Sequence, residues 1–479
     1  MINLRDHKKL FVFGKRFAGF AGMLLILLCA FSCSNLMVND GGSLIISTPG
    51  ARAVTGNEIY TIELTGSNGA TQNKTVSGGS TVQFDDLAPD TYRISVKAAD
   101  DSGAVVLYGI SDATVTAGAT ASATVKMSEV VNDYNSLSKA ISTGGIVYIG
   151  SDIDVTSSLT VNTDVTLLPA YKNVTLTKAG DIELISFSAA GTLTVGGNDY
   201  TITLDGDSSN NTSTKSLILV NEVGCTVTLD KNSVVMNNAG TGVTIKGKDY
   251  NNKAYLYLHS GTIKSNQSGG VSLGSYTEFV MNDGVINGNK LNSTTSGGAG
   301  VNVGSSIFTM KGGTISDNEV TGDGGAIRVI SGGSFTMDGG SIEGNSATVK
   351  GGGVSVTSGT FIMNGGSITD NKVIGETPLG HGVYFSDGPS GDLKFSGNPV
   401  INNNNDVYYV IREPIRISGP LNGTDSVATI TFAEYKSTQV LSAENGVDLA
   451  AEVGKFKVTP ESDGTQWTIG PDGTLKQAQ

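Results

Sequence analysis

Apolar and polar positions between Leu256 and Asn371 follow one eleven-residue phrase written five times: LYLHSGTIKSN from Leu256, FVMNDGVINGN from Phe279, FTMKGGTISDN from Phe308, FTMDGGSIEGN from Phe335 and FIMNGGSITDN from Phe361. Its first, third and eighth positions are apolar. Most copies then lead through a Gly-rich step into another alternating pair, such as GGAIRV from Gly324 or GGGVSV from Gly351. Period-two alternation predicts three short strands per copy, and together with the glycine density it excludes helical repeats. The closing asparagines Asn266, Asn289, Asn318, Asn345 and Asn371 are 23, 29, 27 and 26 residues apart. That spacing fits one turn of a three-sided parallel β-helix.

Coils stacked at the ~4.8 Å strand spacing bring equivalent residues together. Phe279, Phe308, Phe335 and Phe361 are expected to form an internal aromatic ladder, with Met281, Met310, Met337 and Met363 beside it. Asn289, Asn318, Asn345 and Asn371 are expected to stack likewise, amide on amide. These ladders are structural, because each side chain is committed to its neighbour.

Upstream, the alternating runs LIIS from Leu44, IYTIEL from Ile59, STVQF from Ser80, TYRISVKA from Thr91, AVVLYGI from Ala104 and ATASATVKM from Ala119 predict a small β-sandwich over residues 43–127. Asp133 to Ser142 reads as an amphipathic helix with Tyr134, Leu137 and Ile141 on one face, ended by Gly144-Gly145 before the strand IVYI. The β-helix is placed at residues 128–414. Beyond it IRI from Ile415, VATITF from Val427, KFKV from Lys455 and WTI from Trp467 predict a β-rich cap over 415–479, with Trp467 as a packing residue. The fold class is therefore all-β: a right-handed three-sided parallel β-helix between a small β-sandwich and a short C-terminal module.

The first 32 residues have the grammar of an export signal. Lys8, Lys9, Lys15 and Arg16 form a basic segment, and the apolar stretch Phe17–Phe31 runs into Ser32-Cys33. At about 15 residues that stretch is short for a membrane span. A small residue before cysteine is a lipobox arrangement, so Cys33 is the expected lipidation site and residues 33–42 a tether. Ala30 and Phe31 depart from the strict pattern, and the segment resembles the relaxed lipoboxes of spirochaete lipoproteins. Localisation follows as exported and lipid-anchored, at the outer membrane or cell surface. Cleavage would remove Cys29 and leave Cys225 as a lone buried thiol, with no disulfide framework.

Sixty-five glycines, 10 prolines and 16% charged residues fit a turn-rich all-β chain. The signal takes five basic residues and one Asp with it, so the remainder is more acidic than the −13 of the whole chain. No basic stripe exists to displace counterions, which argues against a nucleic-acid partner.

Several stretches resemble known families. LAPDTYRISV from Leu87 is similar to transthyretin-like or carboxypeptidase-regulatory-like sandwiches, which implies a spacer module with Tyr92 in its core. The helix, Gly-Gly and strand order at Asp133–Ile149 resembles the N-terminal cap of pectin-lyase-like β-helices. FVMN from Phe279, FIMN from Phe361 and GGAI from Gly324 resemble the repeats of chlamydial polymorphic outer-membrane proteins, which implies surface adhesion. The 65 residues after the solenoid are too few for a membrane barrel, so a lipid anchor would replace it.

Catalysis needs convergent polar groups. Gly380-His381-Gly382 and Asn162-Thr163-Asp164 resemble fragments of polygalacturonases, yet several coils separate them and no paired aspartates lie between. Arg328 near Asp323 is expected on a solvated face. The three histidines, His7, His259 and His381, supply no metal set, and no cofactor is expected. The leading function is a non-enzymatic adhesion or ligand-binding scaffold, with the membrane as one partner and host matrix or glycan as a candidate for the other. The alternatives are a carbohydrate-active lyase or hydrolase and a purely structural envelope protein.

Overall fold

The computed structural model describes residues 41–47, 58–77, 81–221, 224–294, 297–386, 391–402, 404–423 and 426–478. Cys33 and the signal lie outside the described residues. The chain divides into two compact units: one reaches Val96 and includes Ile110–Met127, the other holds Lys97–Gly109 and everything from Ser128.

The N-terminal unit is β-rich. Gly42–Ser47 pairs antiparallel with Val82–Leu87 and parallel with Thr120–Thr124, while Ile59–Thr65 and Thr71–Ser77 form an antiparallel pair. Alternation sends Leu44, Ile46, Ile62, Leu64 and Phe84 into its core. Tyr92 is buried too, and its phenol donates to the Ala88 carbonyl at 3.0 Å.

The second unit contains a parallel β-solenoid from Ile153 to Val458, about eleven turns long. Its entry is a helix, Tyr134–Thr143, whose Leu137 and Ile141 are fully buried in the solenoid core. The Asp133 carboxylate caps it by accepting the Ser136 N–H at 3.0 Å. Gly144, at φ +85°, ends it where a Cβ would sit 2.6 Å from the Thr163 methyl.

Three ladders form the walls. The first face runs from Gly145–Ile149 through Thr277–Met281 and Gly333–Met337 to Leu441–Ala443. The second has ten strands, from Ile153–Val155 to Val400–Asn402, and the third twelve, from Leu159–Val161 to Phe456–Val458. In register on the first face, the rings of Phe279, Phe308, Phe335 and Phe361 stack with centroids 4.5, 5.0 and 5.0 Å apart. Met281, Met310, Met337 and Met363 pair beside them, and Ile263, Ile286, Ile315, Ile342 and Ile368 fill the second face. The glycine at position six of the phrase has two reasons to be there. At Gly340, φ is +87° and a Cβ would lie 2.6 Å from the Met310 methyl of the preceding coil.

The asparagines line one corner. Asn289, Asn318 and Asn345 are fully buried and Asn371 nearly so. Each accepts at Oδ1 from the backbone N–H and Nδ2 of the asparagine one coil earlier: Asn289 N and Nδ2 reach Asn318 Oδ1 at 3.0 and 2.9 Å, and Asn318 reaches Asn345 the same way. The residue before each ladder asparagine is left-handed: Ser265, Gly288, Asp317, Gly344 and Asp370 have φ of 55–67°. That twist aims the next N–H along the stack, and it explains why position ten is Ser, Gly or Asp.

The corner is longer than the five repeats. Asn238 donates its N–H to Asn266 Oδ1 at 3.2 Å, and Asn405 Oδ1 accepts from Asn371 Nδ2 at 2.9 Å. At the N-terminal end the buried ammonium of Lys178 donates to Asn238 Oδ1 at 2.7 Å and to the carbonyls of Lys215 and Ser213 at 2.9 and 3.1 Å. Burial pushes its pKa down, and the Asp181 and Glu183 carboxylates oppose that shift.

Parallel pairing does not stop at Pro414. Ile415–Leu421 pairs with Leu393–Gly397 and Leu441–Ala443, and Ala428–Phe432 pairs with Val407–Val410 and Phe456–Val458. Coils thus continue into the residues read from sequence as a separate cap. The final hairpin is Trp467–Ile469 with Leu475–Gln477. Trp467 packs on Tyr435 and donates to Glu461 Oε2 at 3.0 Å.

A further short ladder, Lys290–Leu291, Glu319–Val320, Ser346–Ala347 and Lys372–Val373, follows the asparagine corner. Ala299, Val320 and Ala347 pack there with Leu291 in a small core of their own.

Candidate functional site

Phenylalanine and asparagine ladders are spent on the interior, so ligand chemistry has to come from outward positions and loops. Three places gather such groups.

The groove around His381 measures about 410 Å³ and is lined by Asn404, Asp406, Ser426, Thr431 and Lys457, among others. His381 Nδ1 accepts the Val373 N–H at 3.0 Å, which fixes the ring proton on Nε2. Its own backbone N–H donates to Asp406 Oδ1 at 2.8 Å, while the Thr431 hydroxyl donates to Asp406 Oδ2 at 2.8 Å. The imidazole thus ties down a bend within its own coil, and the carboxylate stitches neighbouring coils together. Among the described residues Asp406 is the one carboxylate lining the groove, whereas glycoside hydrolysis uses an acid and base pair. Asn162-Thr163-Asp164 serves the fold elsewhere: Asp164 Oδ1 accepts the Thr192 N–H at 2.9 Å.

Arg328 is not on a solvated face. Its side chain is 16% exposed beside Asp323 at 4.0 Å, and Lys350 lies 3.6 Å from the same carboxylate and over the Tyr384 ring. Backbone bridges Asp323↔Lys350 and Lys350↔Leu379 continue this stack of loops. Among the described residues, no three His, Cys, Asp or Glu are grouped to hold a metal.

The third place is a trough on the first face. Its floor is one outward column in strict register over six coils: Thr192, Thr226, Tyr255, Glu278, Ile307 and Ser334. Two hollows of about 310 and 230 Å³ lie along it and share Lys253. Tyr250, Tyr276 and Ile307 are 76, 45 and 45% exposed and all line the second hollow. Tyr250 is presented by a tied loop, in which Asp249 Oδ1 accepts the N–H groups of Asn251 and Asn252, each at 2.9 Å. Those bonds, led by the Asn252 side chain, hold the Asp249 pKa below the usual carboxylate value. Lys253 lies over the Tyr250 ring at 5.1 Å and forms an ion pair with Glu278, which raises the lysine pKa.

Tyr276 sits at φ +56°, a region that bulky residues rarely enter, and two coils on the same turn position is Gly332. Further along the strand, Tyr257 lies 6.5 Å from Tyr255 and 5.9 Å from His259, centroid to centroid. None of this cluster stood out from sequence; the available signal was five rings, Tyr250, Tyr255, Tyr257, His259 and Tyr276, within one coil and its neighbour.

Cys225 is 5% exposed at the edge of the first hollow, and burial pushes its pKa to about 12. The folded thiol therefore stays protonated at neutral pH and should not react with a thiol reagent until the chain unfolds. An unfolded cysteine ionises near pH 8.5, so the folded state loses stability as pH rises above that value, up to about 12. Thiol-reagent uptake against denaturant at pH 7.5 and 9.5 checks both statements; rapid labelling of native protein would refute the burial.

Compared with protein-family models, curated proteins and solved structures, the chain matches none.

Proposed function

We propose that this protein is an exported, lipid-anchored β-helix scaffold that binds ligand on the outward side of its coils. The observation that carries this reading is the convergence of Tyr250, Tyr276 and Ile307. They are three of seven exposed large hydrophobic side chains among the described residues, and all three lie on one hollow. Exposed apolar groups scattered singly need no explanation, whereas a cluster held by a tied loop and a left-handed tyrosine points to contact with a partner. The internal ladders support the same reading, because they fix the spacing of the outward column without using it.

The anchor assigned to Cys33 rests on the basic and apolar segments before it. Metabolic labelling with a palmitate analogue should mark the wild type and not Cys33→Ala, which should also leave the membrane fraction. Persistent labelling of the variant would remove the anchor from the proposal. Protease treatment of intact cells should cleave the protein if it faces outward. Retention of the full-length protein on host matrix or glycan surfaces should fall with Tyr250→Ala combined with Ile307→Ala; unchanged retention would place binding elsewhere. Release of sugar products would instead favour the carbohydrate-active alternative.

A further inference from the structure

Resting on the binding reading above, we infer that the trough from Thr192 to Ser334 is a subsite for an uncharged, linear oligosaccharide lying parallel to the solenoid axis. The column's six coils span five steps, about 24 Å at the strand spacing, long enough for several sugar units. A pyranose presents an apolar C–H face and a hydroxyl edge, so a sugar chain needs ring faces and hydrogen-bonding groups in alternation. The column alternates apolar and polar groups from Tyr255 through Glu278 and Ile307 to Ser334, with the hydroxyls of Thr192 and Thr226 before them and the rings of Tyr250 and Tyr276 on its flank. Asn251, Asn252 and Ser305 add polar groups to the walls.

Charge narrows the class. Among the described residues Lys253 and Glu278 are the charged ones lining the two hollows, and they pair with each other. Among the described residues the one cation lining the hollows, Lys253, is already paired, and the chain's net charge of −13 repels an acidic sugar further. A protein partner fits less well: stable protein interfaces bury on the order of 1,200 Å² or more around an apolar core, whereas the apolar groups here are few and interrupted by hydroxyls.

The test is calorimetric titration of the full-length protein, purified in detergent, with short linear glucans, mannans, galactans and chitin oligomers, alongside uronate and sulfated oligomers. At least one neutral class should bind. Tyr250→Ala and Tyr276→Gly should each weaken it at least tenfold, the latter while relaxing the backbone, so loss of fold cannot account for the result. His381→Ala should change nothing. Preference for the acidic oligomers, or binding indifferent to both tyrosines, would overturn the inference. If no oligosaccharide binds while surface retention still depends on Tyr250, the sugar assignment fails and the scaffold reading stands.

Discussion

Truncating Phe335 to Ala should lower stability by about 3–5 kcal/mol, the usual range for a buried phenylalanine. The ring is fully buried and stacked between Phe308 and Phe361 at 5.0 Å on each side, so truncation opens a cavity and breaks two ring contacts. Thr336, the next residue, points outward, and Thr336→Ala should cost less than about 0.5 kcal/mol. Phe361 has an aromatic neighbour on one side and Leu393 on the other. Phe361→Ala should therefore fall between the two. Solenoid stability is a sum of coil and neighbour terms, and the shift of the denaturant midpoint measures each variant. Equal shifts at Phe335 and Thr336 would mean that the inward and outward assignments are mistaken.

Asn318→Leu should be of similar severity for an opposite reason, since it adds apolar volume and removes pairing. Asn318 Oδ1 receives two donors from Asn289, and its Nδ2 serves the Ile286 carbonyl at 3.0 Å and Asn345 Oδ1 at 2.9 Å. Leucine strands both Asn289 donors in the interior at about 1–3 kcal/mol each, or about 2–6 kcal/mol in all. Asn282 is an exposed asparagine in a neighbouring coil, and Asn282→Leu should be close to neutral. Amide hydrogen exchange should locate the damage, with protection lost at Asn289 and Asn318 before the coils farther along. A neutral Asn318→Leu would show that the amide column adds little to folding.

The solenoid was readable because the phrase repeats both its inward positions and its left-handed corner. Position ten, always Ser, Gly or Asp, carried backbone information as specific as the apolar pattern. Asn238 and Asn405 also follow left-handed residues, but these are Asn237 and Asn404, a residue type the phrase never uses at position ten, so both fell outside the pattern. The coils after Pro414 were harder to see, because Ile415, Ile417, Ile430 and Leu441 fill the core without the Phe-x-Met spacing or the asparagine. The trough was hidden for another reason. Its column lies one residue before the phrase, where the outward residue is free to vary, and Tyr250 comes from a loop outside the repeat. Alignment of such residues across coils depends on loop lengths that differ from turn to turn.

The asparagine corner has a direction. Every amide from Asn266 to Asn371 hands one proton to the asparagine on its C-terminal side and offers its oxygen toward the other, while a second proton goes back to a carbonyl of the preceding coil, as from Asn318 to Ile286 and from Asn345 to Ile315. One more coil cut into that run would meet an acceptor on one side and a donor on the other, so the chain could be lengthened or shortened by whole turns there without a mismatch. The two ends differ: Lys178 closes the oxygen end with a cation, and Asn405 turns its Nδ2 back to the Asn371 carbonyl. Within the solenoid, gene duplication can therefore change the number of coils while the terminations of the corner stay the same.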